Sequence, residues 1–254
     1  MKDVRRKTGF SLIEVLMAMA ILSVGLIFSV GTFSAGIRYT QISNERTIAA
    51  VASDEAFAKI KLYGLNFSSI NWPLASTDVY SNLDCVDFND VSVNWFNPNE
   101  YGYPSIGNGQ QKEYYWRAVC RKLSQEVVSA TPIDRLVQVT VFVYRERNPN
   151  VANYSRPIEV SVSWTGSREL LIGNVADKML INDGYTIVDD ETGQIYRVLE
   201  RYVDDTVTPG VDESRVVLLD RDWEGLVSSV WVTPPAVDGG RYPCIGVYQK
   251  IIRF

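Results

Sequence analysis

The sequence contains no histidine, which removes the side chain most often used as a general base and as a metal ligand. A Ser–His or Cys–His nucleophile pair is therefore impossible. No phosphate-cradling glycine loop stands in its place. Basic charge is scarce too: past the first seven residues no basic stripe forms, and the net charge is −5, which argues against nucleic-acid binding. There are three cysteines, Cys85, Cys120 and Cys244, at spacings that fit no zinc or redox motif. Their odd number allows at most one internal disulfide. Proline is missing until Pro73, so no proline kinks or breaks a helix before it. From residue 10 to residue 33 only one charged side chain occurs, Glu14.

What is present is concentrated at the amino terminus. Residues 1–9 read MKDVRRKTG, in which Lys2, Arg5, Arg6 and Lys7 outweigh Asp3. The apolar run 10–33 follows, roughly 36 Å long as a helix, enough to cross a bilayer. Its basic flank stays cytoplasmic and the carboxyl-terminal side is exported. Three readings compete: a secretory signal, a plain single-span anchor, and a processed filament subunit. The run is long for a signal, whose apolar part spans about 7–15 residues, and Ser34, Ala35 and Gly36 offer only a weak cleavage site. Glu14 separates the other two. A carboxylate in a membrane helix costs about 2.5–3.5 kcal/mol on insertion scales, and a plain anchor has no reason to carry one.

The stretch Lys7-Thr8-Gly9-Phe10-Ser11-Leu12-Ile13-Glu14-Val15-Leu16 closely resembles the cleavage and methylation motif of type IV pilins and type II secretion pseudopilins. The resemblance implies cleavage after Gly9 by a prepilin peptidase, N-methylation of Phe10, and an assembly role for Glu14. A freed ammonium at Phe10 would lie one helical turn from Glu14, near the positive end of the helix dipole. In a filament, the carboxylate of one subunit would meet the ammonium of a neighbour and set their stagger. The implied partners are the peptidase, other pilins or pseudopilins, an inner-membrane assembly platform and the lipid bilayer.

Residues 34–63 continue with helix formers, and Ile48, Val51, Ala52, Ala56 and Ile60 recur three or four apart. Gly64 fits a C-cap, so one helix of roughly 80 Å is expected from Phe10 to Tyr63. Gly25, Gly31 and Gly36 are candidate soft points along it. After the loop-rich stretch 65–112, strands are expected at 114–120, 136–144 and 158–164, the last two as an antiparallel pair. Ile158, Val160, Val162 and Trp164 share one face of the third strand. Five more short strands, at 185–188, 195–203, 215–219, 227–232 and 245–252, suggest a small barrel or an added sheet. Residues 189–193 read as a hairpin turn, and Pro209-Gly210 as another.

The expected fold class is α+β: a long N-terminal helix packed on an antiparallel sheet, with a β-rich C-terminal region. The expected organisation is a leader at 1–9, the helix at 10–64 with its transmembrane part at 10–33, a head at 65–166 and an extension at 167–254. This order is most like minor pilins of the type IV pilus modification class. The function the resemblance implies is a minor pilin; the alternatives are a type II secretion minor pseudopilin and a filament-borne adhesin. The location it implies is the inner membrane, single-pass with an exported C-terminal domain, and then a periplasmic or extracellular filament.

No cofactor, catalytic residue or metal site is expected. The acidic groups Asp189, Asp190, Glu191 and Asp220, Asp222, Glu224 invite calcium, but neither has EF-hand spacing, and turn or surface roles explain them. Cys85 and Cys120 are a candidate disulfide, closing a loop of about 35 residues for about 3–4 kcal/mol. Pairing with Cys244 and buried free thiols are equally compatible with the sequence. The aromatics of 94–116 offer either a sticky surface or core.

Overall fold

The computed structural model describes residues 9–65, 84–85, 88, 92–105, 113–123, 136–145, 156–202, 215–225, 229–236 and 241–254. The expected leader apart from Gly9, much of the loop-rich stretch expected at 65–112 and the turn expected at Pro209-Gly210 lie outside them. The chain divides into two compact units, one ending at Thr47 and one running from Ile48 to Phe254. The helix α1, Leu12–Tyr63, contributes residues to both.

In the first unit α1 is exposed at every residue from Leu12 to Gln41, on all faces. Its few hydroxyls turn back on the helix. Ser23 Oγ donates to Met19 O at 2.8 Å, Ser29 Oγ to Gly25 O at 2.9 Å, and Thr40 Oγ1 to Gly36 O at 2.9 Å. The segment therefore satisfies these polar side chains without water, as a hydrocarbon surrounding demands.

In the second unit α1 buries Ala49, Ala52, Ser53, Ala56, Phe57, Lys59 and Ile60. These lie three or four apart, and the alanines let the sheet approach the helix backbone closely. Lys59 Nζ bonds to Glu55 Oε1 at 2.9 Å, Glu100 Oε2 at 3.0 Å and the Glu100 carbonyl at 2.8 Å, tying the helix to the loop beside it. The helix ends as expected at Gly64 (φ 69°), whose N–H donates to Ile60 O. Val93 and Asn94 N–H groups then bond to the Gly64 and Tyr63 carbonyls.

The strands are β1 (Asp84–Cys85), β2 (Gly102–Tyr103), β3 (Tyr114–Lys122), β4 (Leu136–Arg145), β5 (Ile158–Gly166), β6 (Glu169–Ile172), β7 (Thr186–Asp189), β8 (Ile195–Arg201), β9 (Val216–Leu219), β10 (Ser229–Val232) and β11 (Cys244–Arg253). The class is α+β, as expected. All pairings among them are antiparallel. One sheet has the order β1-β3-β4-β11, with β2 also on β3; the other six strands close a barrel in the order β10-β5-β6-β9-β8-β7.

The expected pairing of 136–144 with 158–164 does not occur. β4 pairs with β3 and β11, while β5 pairs with β6 and β10. Alternation identifies the buried face of a strand but carries no information about its neighbour. The barrel is thus inserted between two adjacent strands of the sheet. A division at 166/167 falls between β5 and β6, which pair with each other, and β11 returns to the sheet. Trp164 also departs from expectation: Val160 and Val162 are buried in the barrel, but Trp164 is 65% exposed, beside a register shift between Trp164 and Gly166.

β4 is buried on both faces, which explains its unbroken apolar run. Val137, Val139, Val141 and Val143 join Phe57 and Ile60 in the core beneath α1. Phe142 and Tyr144 join Tyr115 and Val119 with Val188 and Trp231 of the barrel, so the barrel seats on the opposite face. The turn between β7 and β8 completes this joint. Arg121 Nη2 donates to Thr192 O at 2.7 Å, and Gln249 Nε2 to Gly193 O at 2.6 Å and to Thr140 Oγ1 at 3.0 Å.

Gly193 is demanded here by its backbone conformation, while the glutamine ends beside it can shift. Its φ is 70°, and a Cβ there would overlap Gln138 Nε2 and come within 3.1 Å of Gln249 Nε2. Gly193→Ala is expected to cost about 1–3 kcal/mol, read as a lowered unfolding midpoint in denaturant.

Candidate functional site

Gly9 and Phe10 precede the helix, and both are exposed. Phe10 is 87% exposed, and the space a Cβ would take at Gly9 is empty for 4 Å. Among the described residues nothing packs where a side chain at Gly9 would go. The bond between Gly9 and Phe10 is thus an open, non-helical peptide bond just before a helix start.

That start is built by Ser11 and Glu14. The Ser11 N–H donates to Glu14 Oε2 at 3.1 Å, and the Glu14 N–H donates to Ser11 O at 3.0 Å. This is the carboxylate half of a capping box, in which the third helical residue reaches back to the cap. The signal was visible in the sequence as Ser-x-x-Glu before an apolar run, and reading Glu14 only as an assembly charge overlooked it. The carboxylate consequently sits at the positive end of the helix dipole, beside the peptide bond at Phe10.

Residues 4–30 match the family model of the prokaryotic N-terminal methylation motif. The chain carries the type IV pilin and pseudopilin signature. The motif covers the helix start, Glu14 and most of the apolar run, and it supports a type IV pilin-like or pseudopilin protein. Comparison with curated proteins and with solved structures yields no match. The helix that contains the motif is the one helix among the described residues long and apolar enough to cross a membrane.

The other candidate residues have local roles. Asp189 is buried and caps its own turn, accepting from the Thr192 N–H at 2.9 Å and from the Thr192 hydroxyl. Asp190 accepts from Trp231 Nε1 at 2.7 Å and Ser229 Oγ at 3.2 Å. Asp220 accepts from the Arg197 N–H at 3.0 Å, and Glu224 from Gln194 Nε2 at 2.6 Å. Each of these four carboxylates accepts at least one hydrogen bond from within the fold. Of the aromatic stretch, Phe96, Tyr101 and Trp116 pack with Phe88 under α1, with ring centroids 5.0 to 6.4 Å apart. Tyr115 stacks on Tyr144 on the other face of the sheet. Trp95 remains 76% exposed.

Asp84 stands opposite Cys120 and Cys85 opposite Val119, so the two cysteines occupy neighbouring strands one position out of step. Cys120 is buried beneath α1, whereas Cys244 is buried on the barrel side. β3 and β11 flank β4, about 10 Å apart, beyond the roughly 7 Å Cα reach of a disulfide, so Cys120 and Cys244 do not pair. Burial pushes the Cys244 thiol up to about 12. At pH 8 a maleimide is expected to label Cys244 at least a hundredfold more slowly in the folded chain than in denaturant, read by peptide mass spectrometry.

Proposed function

We propose that this protein is a minor pilin of a type IV pilus-like filament, processed after Gly9 and assembled through its N-terminal helix. The observation that carries this reading is the exposed bond between Gly9 and Phe10, set directly before a capped helix whose apolar run to residue 33 carries Glu14 as its one charge. A peptidase needs an accessible, extended segment, and the helix start at Leu12 leaves one. Processing would release an ammonium at Phe10 next to a carboxylate already held at the helix end. In hydrocarbon either charge alone is expensive, so Glu14 of one subunit and the methylated amine of another would fix the stagger of otherwise featureless helices.

The role is structural rather than catalytic. The helix would hold the subunit in the inner membrane until assembly, with the sheet and barrel exported. A head enlarged by an inserted barrel favours a minor subunit, because a major one must repeat densely along the filament. The same features suit a type II secretion pseudopilin, and gene neighbourhood separates the two. The barrel supports a second reading, a filament-borne binding module, because it is a complete closed unit added to the sheet.

Gly9→Val is expected to leave the chain at its unprocessed mass in cells containing a prepilin peptidase; a mature amino terminus at Phe10 would contradict the proposal. Glu14→Val is expected to insert and be processed normally yet be depleted from sheared filaments about tenfold or more. Incorporation equal to wild type would sink the charge-registration idea.

A further inference from the structure

The link between β6 and β7 lies against the barrel core. It carries a 3-10 helix, Val175–Met179, capped by Asn174, whose side chain accepts from the Ala176 N–H at 3.0 Å. Ile181 then enters the barrel core, with Leu180 packed beside it. Further bonds hold this turn: the Leu180 N–H to Asp177 O at 2.9 Å, Asn182 Nδ2 to Met179 O at 3.2 Å, and the Gly184 N–H to Val198 O of β8 at 2.8 Å. Arg201, the last residue of β8, reaches the same turn from the neighbouring strand. Its N–H donates to Asp183 Oδ1 at 2.7 Å, and its Nη1 donates to Lys178 O at 2.8 Å.

The same Nη1 also donates to a thioether, Met179 Sδ, at 3.9 Å. Sulfur is a weak acceptor, whereas arginine keeps its charge throughout the ordinary pH range. A permanent cation is thus matched to a poor partner. Met179 is 59% exposed, so a small reagent reaches it from solvent. The other methionines among the described residues, Met17 and Met19, lie in the apolar run of α1. The 3.9 Å separation exceeds an N–H···O hydrogen bond by roughly one bond length. An oxygen added to the sulfur on this side therefore stands within reach of Nη1.

We propose that Met179 is an oxidation site, at which a peroxide converts the thioether to a sulfoxide whose oxygen is received by Arg201, fastening the turn to β8. A sulfur lone pair attacks one oxygen of hydrogen peroxide; an S–O bond forms and the O–O bond breaks. The proton on the transferred oxygen passes to the departing hydroxide, which leaves as water. Sulfur is oxidised and the peroxide reduced by the same electron pair. Methionine oxidation ordinarily makes an apolar side chain polar and disrupts its surroundings. Here the new oxygen gains a charged donor, and charge-assisted hydrogen bonds are roughly twice as strong as neutral ones. The modification therefore tightens this turn instead of loosening it.

The full chain in detergent is treated with hydrogen peroxide, and oxidation of Met179 is followed by peptide mass spectrometry. Amide hydrogen exchange is then compared before and after. The amides of Leu180, Gly184 and Tyr185 report on the turn, since each donates to a carbonyl within it or on β8. Exchange in the peptide that contains them is expected to slow about threefold or more once Met179 is oxidised. In Arg201→Leu the sulfoxide is expected to form without slowing exchange. Met179→Leu, a change at an exposed side chain that spares the fold, is expected to show no response to peroxide. Exchange that is unchanged or faster in the oxidised wild type overturns the proposal. So does equal slowing in Arg201→Leu, any slowing in Met179→Leu, or a Met179 that resists peroxide in the folded chain.

Discussion

Hydrocarbon offers no hydrogen bonds, and that single constraint organises the amino-terminal part of this molecule. Every backbone group from Leu12 onward must be satisfied within the chain, which leaves the helix as the only economical shape. The constraint extends to side chains: serines and threonines that would bond water elsewhere bond the carbonyls three or four residues back. It also makes Glu14 conspicuous. The carboxylate is tolerated because the Ser11 N–H and the dipole of the helix end receive it. The same group therefore closes the helix start.

The rest of the chain answers to water, and there the sheet is organised by having two buried faces instead of one. β4 is the element that shows this best. Its valines point to α1, its aromatic residues to the barrel, and its polar residues Gln138 and Thr140 are engaged by Arg121 and Gln249. An antiparallel sheet with one wet face alternates polar and apolar residues, whereas one covered on both sides does not. The barrel is what removes water from the second face.

Periodicity made much of this legible in advance. The helix with its stop at Gly64 and eight of the strands stood out because apolar spacing, β-branched residues and turn glycines agreed with one another. β6 escaped notice, being four residues long and tied to β5 by a tight turn. The partner of β4 was misjudged because adjacency in sequence was taken for adjacency in space, and a strand's own residues do not encode who lies beside it. At the candidate site the Gly9-to-Glu14 motif was plain, while the bond between Ser11 and Glu14 went unseen despite a spacing that announces it. The joint around Gly193 and Arg121 was out of reach, since it unites residues from strands far apart along the chain.

The position of β11 bears on how such a molecule is made. β4 has one side supplied early, by β3, and the other only by a strand that the ribosome reaches after the entire barrel. Until then a ten-residue valine-rich edge stands open. A chain synthesised amino end first therefore carries a finished barrel before its platform is complete. A chain lacking β11 would keep all six barrel strands yet leave that flank of β4 open to edge-to-edge pairing.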